Sequence, residues 1–492
     1  MTTIINAKIG ESKGRARVWM EGKKLSHGGV HIGSKYSIKA DKVTRRLELI
    51  EVPFDFSGHS VNVSKRERNG VVHPVLDLRT DLIREVFEDD YKVRIALRRG
   101  RLVITALQIQ TRIRERLKRL KEKVERGEKL ATVSLFHGAG ILDRAIHSGM
   151  LRSGVGSYIQ VGVEMESDYL DASMRNNPHM WQENSVAIHS DVRDVYLSDK
   201  MEQCDLLIAG IPCTGASKSG RTKNKLQYAE DHDGAGALYI DYLNWLRHAN
   251  PCIAIIENVG EYANTASMSA IRSVFNHLGY KVQETVLDGW DLGSLEHRKR
   301  LVVVAVTPGY ADTFSLDNLK ATRVRESCLN DILEPIALDD SRWKKFEYLA
   351  IKEERDKAAG KGFARQLLTG EEDGCGSVGR GYSKCRSTEP FIKHPTDSTL
   401  SRLFTAVEHT RIKAIPEDMI VGLSETVAHE VCGQSVDYPM FVSVGVEIGE
   451  SIMRSRNNVI QFRKRPVEVT STEPDDQEQD EVPKTGSLAL FI

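Results

Sequence analysis

Cys213 stands in the run DLLIAGIPCTGAS, where an apolar stretch ends in Gly210, Ile211 and Pro212. A thiol directly after a Gly-x-Pro turn, at the end of a buried strand, is well placed to act as a nucleophile. A second apolar run, CIAIIENV, ends in Glu257 and Asn258. Two strands that deliver a thiol and a carboxylate to one sheet edge point to nucleophilic attack paired with proton donation. A lone cysteine is most often a small buried hydrophobe, so the assignment depends on its company. A free thiol with a pKa of about 8.5 is only a few per cent ionised at neutral pH and needs positive charge nearby.

These side chains need elements to carry them. From Ala131 onward, short apolar strands alternate with amphipathic segments: ATVSLF, YIQVGVE, CDLLIAG, CIAIIEN and RLVVVAV. This pattern predicts an α/β fold, a parallel sheet with helices on both faces. Ligands of such folds bind at the carboxyl ends of the strands. The first strand runs into FHGAGILDRAI, where Phe136, Gly138 and Gly140 make a tight turn into a helix N-terminus, open to a ligand's approach. Glu164 ends the second strand, in VGVEMES, where an acid commonly takes both ribose hydroxyls of a nucleoside. Asp191 follows the third, in HSDVRDV, where a carboxylate can accept from an adenine amino group. Together they imply an adenosine-containing cofactor. The lack of a full G-x-G-x-x-G favours S-adenosylmethionine over a nicotinamide dinucleotide.

In chain order, FHGAG, VGVEMES, SDVRDV, AGIPCTGAS, IIENV, EHRKR, SRLFTAVEHTRIKAIP and VCGQSV resemble the motifs of the DNA (cytosine-5)-methyltransferases, over roughly residues 131–453. The resemblance implies a Rossmann-like, S-adenosylmethionine-dependent catalytic domain with a smaller target-recognition domain. Cytosine C5 is a poor nucleophile. Addition of the Cys213 thiolate to C6 makes an enamine-like intermediate whose C5 can attack a methyl sulfonium. By the same resemblance Pro212 belongs to the catalytic turn, and Glu257 bonds cytosine N3 and the exocyclic amine, sharing a proton at N3. Asn258 holds the loop of Cys213 or contacts the base. Arg298 sits near the ring oxygen and phosphate, and Arg300 helps to organise the site. The cofactor falls to Phe136, Gly138 and Gly140, to Glu164 and Met165, and to Asp191 and Val192. Gly210, Leu238, Gln434, Ser435 and Val436 complete its surroundings. The target base must leave the duplex to reach these groups.

The chain departs from the family's pattern in places. Ile141 stands for a usual glycine, Leu295-Glu296 for Pro-Gln, Gln434 for Asn in GNSV, and Thr214-Gly215-Ala216-Ser217 for Gln-Gly-Phe-Ser. These changes mark a divergent branch without removing the thiol or the carboxylate. Two alternatives stand beside the leading reading. One is a tRNA cytosine-5 methyltransferase on the same scaffold. Most RNA enzymes take their nucleophile from the later strand, where this chain has Glu257-Asn258. The other is a DNA-binding regulator with an inactive methyltransferase domain, against which Cys213, Glu257, Arg298 and Arg300 argue.

The 492 residues are 40% hydrophobic and 28% charged, with Lys+Arg and Asp+Glu both 69, so net charge excludes no partner. Basic residues gather between 92 and 129, whereas the far end is acidic. Seven cysteines, an odd number without CxxC spacing, argue against a disulfide framework and a zinc site. They favour a reducing cytosol. There is no signal-like start and no apolar run of membrane-spanning length. The expectation is a cytoplasmic protein without metal or membrane, acting on double-stranded DNA, with restriction-modification as its setting.

Residues 1–106 read as a β-rich duplicated module. Residues 16–49 and 73–104 each give a strand, a helical turn and a hairpin, loosely resembling swapped-hairpin barrels of the AbrB and SymE type. Those often bind DNA, and Arg94, Arg98, Arg99 and Arg101 either face phosphates or form a solvated basic edge. Residues 107–129 are a linker helix with a solvated basic face, and 130–308 the catalytic domain. Residues 309–396 are the target-recognition domain, where Arg380, Tyr382, Lys384 and Arg386 are offered to base edges or phosphates. Residues 397–456 hold a bracing motif (Arg402, Thr405, Glu408, Arg411) and a helix returning to the catalytic domain. Residues 457–492 are a disordered acidic tail. It ends SLALFI, which resembles a sliding-clamp binding peptide anchored by Leu488, Leu490 and Phe491.

Overall fold

The computed structural model describes residues 2–88, 90–198, 200–212, 228–360 and 363–464, the side chains of 457–464 excepted. Cys213 and the tail with Leu488, Leu490 and Phe491 lie outside the described residues.

The first strands are β1 (Thr2–Ser12), β2 (Arg15–Glu21), helix α1 (Lys23–His27), β3 (Lys35–Asp41) and β4 (Arg46–Val52). The series then repeats as β5 (Ser60–Arg68), β6 (Val71–Arg79), α2 (Leu82–Phe87), β7 (Lys92–Arg98) and β8 (Arg101–Ala106). They close into a barrel in the order β1-β2-β6-β5-β3-β4-β8-β7. Exchanging β1–β4 with β5–β8 leaves every pairing unchanged, so the sequence duplication is an internal two-fold. Each copy is one strand longer than the sequence pattern suggests. β1 and β5 keep most side chains toward solvent and carry little apolar signal. Val18, Leu47, Leu76, Val93 and Ile104 are fully buried inside the barrel. Arg94, Arg98 and Arg99 point outward, while Arg101 is paired with Glu48.

Helix α3 (Gln108–Arg126) corrects the expectation of a solvated basic face. Arg116 is 1% exposed, donates to the Leu278 carbonyl at 2.9 Å and lies over the Tyr280 ring. Arg119 and Lys123 both reach the fully buried Asp205, at 2.9 and 2.6 Å. The basic residues of α3 therefore clasp the amino-terminal edge of the catalytic sheet. At the other side, Arg114 and Arg45 meet Asp90 of the barrel.

The catalytic unit comprises β9 (Leu130–Leu135), α4 (Ile141–Arg152), β10 (Ser157–Glu164), α5 (Ser167–Asn176), β11 (Trp181–His189) and β12 (Leu206–Gly210). It continues with α6 (Leu238–Ala249), β13 (Ile253–Asn258), α7 (Ala266–His277), β14 (Lys281–Asp288) and β15 (Lys299–Val306). The sheet order is β11-β10-β9-β12-β13-β15-β14. β15 runs antiparallel to both neighbours, which corrects the all-parallel expectation. A short connection without a crossover helix joins β14 to β15 and forces the reversal. The sheet lies between two apolar clusters, one on each face.

Next come α8 (Glu347–Ala358), β16 (Gln366–Leu368), β17 (Pro390–Lys393), β18 (Ser401–Arg402), α9 (Ala406–Ile412), α10 (Glu425–Gln434) and α11 (Tyr438–Lys464). β16, β17 and β18 form a small sheet. Its core joins Val378, Tyr382, Ile392 and Phe404 to Leu295 and Ile412. Tyr310, Phe314 and Leu316 pack instead in the catalytic core with Phe441 and Ile448 of α11. Among the described residues, no helix is long and apolar enough to cross a membrane.

Candidate active site

β12 and β13 run parallel with Gly210 opposite Glu257. A Cβ on Gly210 would lie 3.6 Å from Glu257 Oε2, so the carboxylate borders the turn that leads to Cys213. Asn258 is 1% exposed, and its Nδ2 donates to the Ile211 carbonyl at 3.1 Å. Its Oδ1 accepts from Val259 N at 2.9 Å. One amide thus pins the chain at Ile211, just before Pro212, and fixes the exit of β13.

The reversal of β15 brings the arginines to this edge. Asn258 pairs with Leu301 and Glu257 with Val302, so the start of β15 meets the end of β13. On a parallel strand the same residues would stand at the opposite edge. Arg300 Nε lies 2.9 Å from Glu257 Oε1. Arg298 precedes the strand and turns inward. It is 5% exposed and donates to Glu296 Oε1 at 3.2 Å and to the Gly433 carbonyl at 2.9 Å. Arg300 thus flanks the carboxylate, and Arg298 holds a buried turn.

Arg298 belongs to a buried charge cluster with Glu296, Lys413 and Asp437. Glu296 Oε1 also accepts from Val378 N at 3.0 Å, and Oε2 faces Lys413 Nζ at 3.0 Å, off the direction of a good hydrogen bond. Burial works to raise the Glu296 carboxyl, but Lys413 and Arg298 outweigh it and hold it below the usual range. Burial, then Arg298, lowers the Lys413 ammonium. Neither oxygen of Asp437 is hydrogen-bonded among the described residues, and burial followed by the Glu296 charge pushes its carboxyl well above the carboxylate range.

The second edge is built on β9, β10 and β11. Phe136, Gly138 and Gly140 take left-handed backbone angles, with φ of 56°, 58° and 77°. Glu164 is preorganised by three backbone N–H groups: Gly138 at 2.6 Å, Met165 at 2.9 Å and Glu166 at 3.0 Å. The space above Gly138 is open, since the nearest atom to a Cβ there is Gln434 Nε2 at 3.8 Å. Met165 is exposed beside it, while Phe136, Val192 and Leu238 share one apolar cluster. Ser435 caps the end of α10 by bonding the Cys432 carbonyl at 2.7 Å, and Val436 is buried. Asp191 accepts from Arg193 N at 2.9 Å and from its guanidinium at 3.0 and 2.6 Å. The Arg193 side chain thereby holds the Asp191 carboxyl below its ordinary range. An adenine amino group would share or displace that arginine. A fixed carboxylate, a side-chain-free turn and an apolar wall fit a nucleoside cofactor.

Tyr382 is a correction. Its ring is fully buried, its hydroxyl donates to the Pro390 carbonyl at 2.7 Å and accepts from Phe404 N at 3.0 Å. It is a core pillar and cannot reach a base. Arg380, Lys384 and Arg386 are exposed. Arg380 reaches Glu166 at 3.4 Å, beside the Glu164 cradle. Arg402 grips Glu408 at 2.6 and 2.8 Å, and Thr405 caps α9 with the same Glu408. Sequence reading missed the Glu296–Lys413 pair. A glutamate where the family carries glutamine was the available signal, since a buried carboxylate demands a counter-charge.

Residues 130–450 match the family model described as C-5 cytosine-specific DNA methylase. The chain is 22% identical over 276 residues to the type II methyltransferase M1.ScrFI of Lactococcus lactis subsp. cremoris, covering 54% of this chain and 68% of that protein. It is 25% identical over 347 residues to the type II methyltransferase M.BsuFI of Bacillus subtilis, covering 69% and 77%. Among solved structures, the Entamoeba histolytica methyltransferase EhMeth superposes with a TM-score of 0.50 at 16% identity, covering 66% of this chain and 99% of that one. That last likeness is one of fold.

Proposed function

The chain belongs to the C-5 cytosine-specific DNA methylase family, and on that premise we propose that it methylates C5 of a cytosine in duplex DNA, using S-adenosylmethionine. The observation that carries the site assignment is the meeting of Glu257, Arg300 and the Asn258-pinned turn before Cys213 at one sheet edge. The Cys213 thiolate adds to C6 of a flipped cytosine. Glu257, balanced by Arg300, bonds N3 and holds the proton there as charge develops. C5 then takes the methyl group, the C5 proton passes to water, and the electron pair it leaves expels the thiolate while N3 gives its proton back to Glu257, restoring the base. The bound cofactor supplies an electrophilic methyl group. Glu164 would take its ribose hydroxyls, the turn at Gly138 would admit its backbone, and Phe136, Val192 and Leu238 would flank its base.

The proposed division is a barrel (1–106), the α3 clasp (107–129), the catalytic unit (130–308), a recognition unit (309–396) and a brace with returning helix (397–456). The type II relatives suggest a restriction-modification setting. Expression in cells without cytosine methylation, followed by bisulfite sequencing, tests the reading. Protected cytosines in a fixed sequence context are expected, and none with Cys213→Ser. Protection confined to tRNA would replace DNA as the substrate. A Cys213→Ser variant that still methylates would remove the assigned nucleophile.

A further inference from the structure

The buried cluster around Glu296 lies outside the reacting groups, yet it touches three segments that must be aligned for them to work. Glu296 Oε1 accepts from Val378 N and from Arg298, and Oε2 faces Lys413 on the brace. Arg298 passes the connection on to the Gly433 carbonyl. Gly433 is packed so closely against residues 379–380 that a Cβ would collide with the Gly379 carbonyl. The next residue, Gln434, faces the open turn at Gly138. The backbone of 295–297 runs through the same place: Leu295 N donates to the Ile412 carbonyl at 2.8 Å, and His297 N to the Cys375 carbonyl at 2.9 Å.

We propose that Glu296 is a positioning residue: with Lys413 as its fixed counter-charge, it holds the recognition loop at 378–380 and the cofactor-edge turn at 433–436 in one relation. This rests on the reading of S-adenosylmethionine at that edge. The chemistry explains why this chain needs the pair. A glutamine at 296 could still accept from Val378 N. It would leave the buried cations Arg298 and Lys413 facing Asp437, whose carboxyl must then ionise against its own burial to balance them, a costly arrangement. Methionine at 413 alone would strand Glu296 with one cation fewer. Changing both makes the 296–413 contact neutral at similar volume and leaves Arg298 with Asp437 as its counter-charge.

The test is a double-mutant cycle on the full chain with Glu296→Gln, Lys413→Met and the double variant. Equilibrium binding of S-adenosylhomocysteine and thermal melting are read beside methylation. Binding by the parent chain decides the proposed cofactor first, and the variants are read only as ratios to it. Each single variant is expected to weaken binding at least tenfold, and the double to recover to within about threefold of the parent. A purely structural role would lower the melting temperature while affinity stayed within about twofold, and that result overturns the proposal. So does a double variant weaker than the worse single. If neither single folds, the double decides alone: folded and binding near parent affinity supports the unit, and failure to bind overturns it.

Discussion

Arg298 and Arg300 are separated by one residue and do opposite work. Arg300 lies beside Glu257 with its side chain 15% exposed, and on the proposed reading a base would sit against both. Removing Arg300 takes charge away from this edge and leaves the mostly buried Glu257 carboxylate short of that partner. Arg300→Ala is therefore expected to lower kcat about 100-fold or more, with a smaller loss of stability than at Arg298. Arg298 is buried against Glu296 and Gly433. Arg298→Ala leaves a buried carboxylate short of a cation, at a cost of about 3–5 kcal/mol, so loss of folded protein should dominate. Thermal melts and single-turnover rates on both variants separate the two effects. Equal loss of stability would show that the inward and edge-facing roles are not distinct. The sequence marked both arginines but not their division of labour, because the start of β15 falls between them.

At the scale of elements, α3 is part of the catalytic unit although its sequence suggests a linker. Arg119 and Lys123 neutralise Asp205, which is fully buried at the edge of β12. A chain beginning at residue 107 keeps this clasp and should stay folded, melting within about 5 °C of the parent. A chain beginning at 128 strands the Asp205 carboxylate and takes Leu120 out of the core on that face of the sheet, and should yield no soluble folded protein. Solubility and melting of the two truncations check this; similar behaviour would mean the clasp contributes little. The sequence disclosed the inner strands through their continuous apolar runs. It hid β1, β5 and β14, whose side chains are mostly half-buried or exposed and show little apolar signal. The direction of β15 was also illegible, since an apolar run does not encode strand orientation. Yet that direction alone carries Arg300 to Glu257.

Across the whole molecule, the barrel, α3, the catalytic sheet and the segments around the small sheet meet through buried ionic contacts at Asp90, Asp205 and Glu296. Beside the last of these, His409 and His429 face each other with their Nδ1 atoms 3.0 Å apart, against the Tyr382 pillar. One ring must donate and the other accept, which requires an unprotonated nitrogen. Burial holds the His429 imidazole down to about 4, against an ordinary 6.5. Burial, then the Lys413 charge, lowers His409 as well. A histidine depressed in the folded state binds its proton more readily when unfolded. Its contribution is therefore complete above about pH 6.5 and is lost as pH falls toward 4, at up to about 1.4 kcal/mol per pH unit. His429→Asn keeps a polar partner for His409 but removes this titration. At pH 7.5 the variant should be about 1 kcal/mol less stable. The gap should close near pH 6 and reverse by about pH 5, because only the parent loses the His429 term. Denaturant unfolding of both chains across that range measures it, and parallel pH profiles would place the acid sensitivity elsewhere.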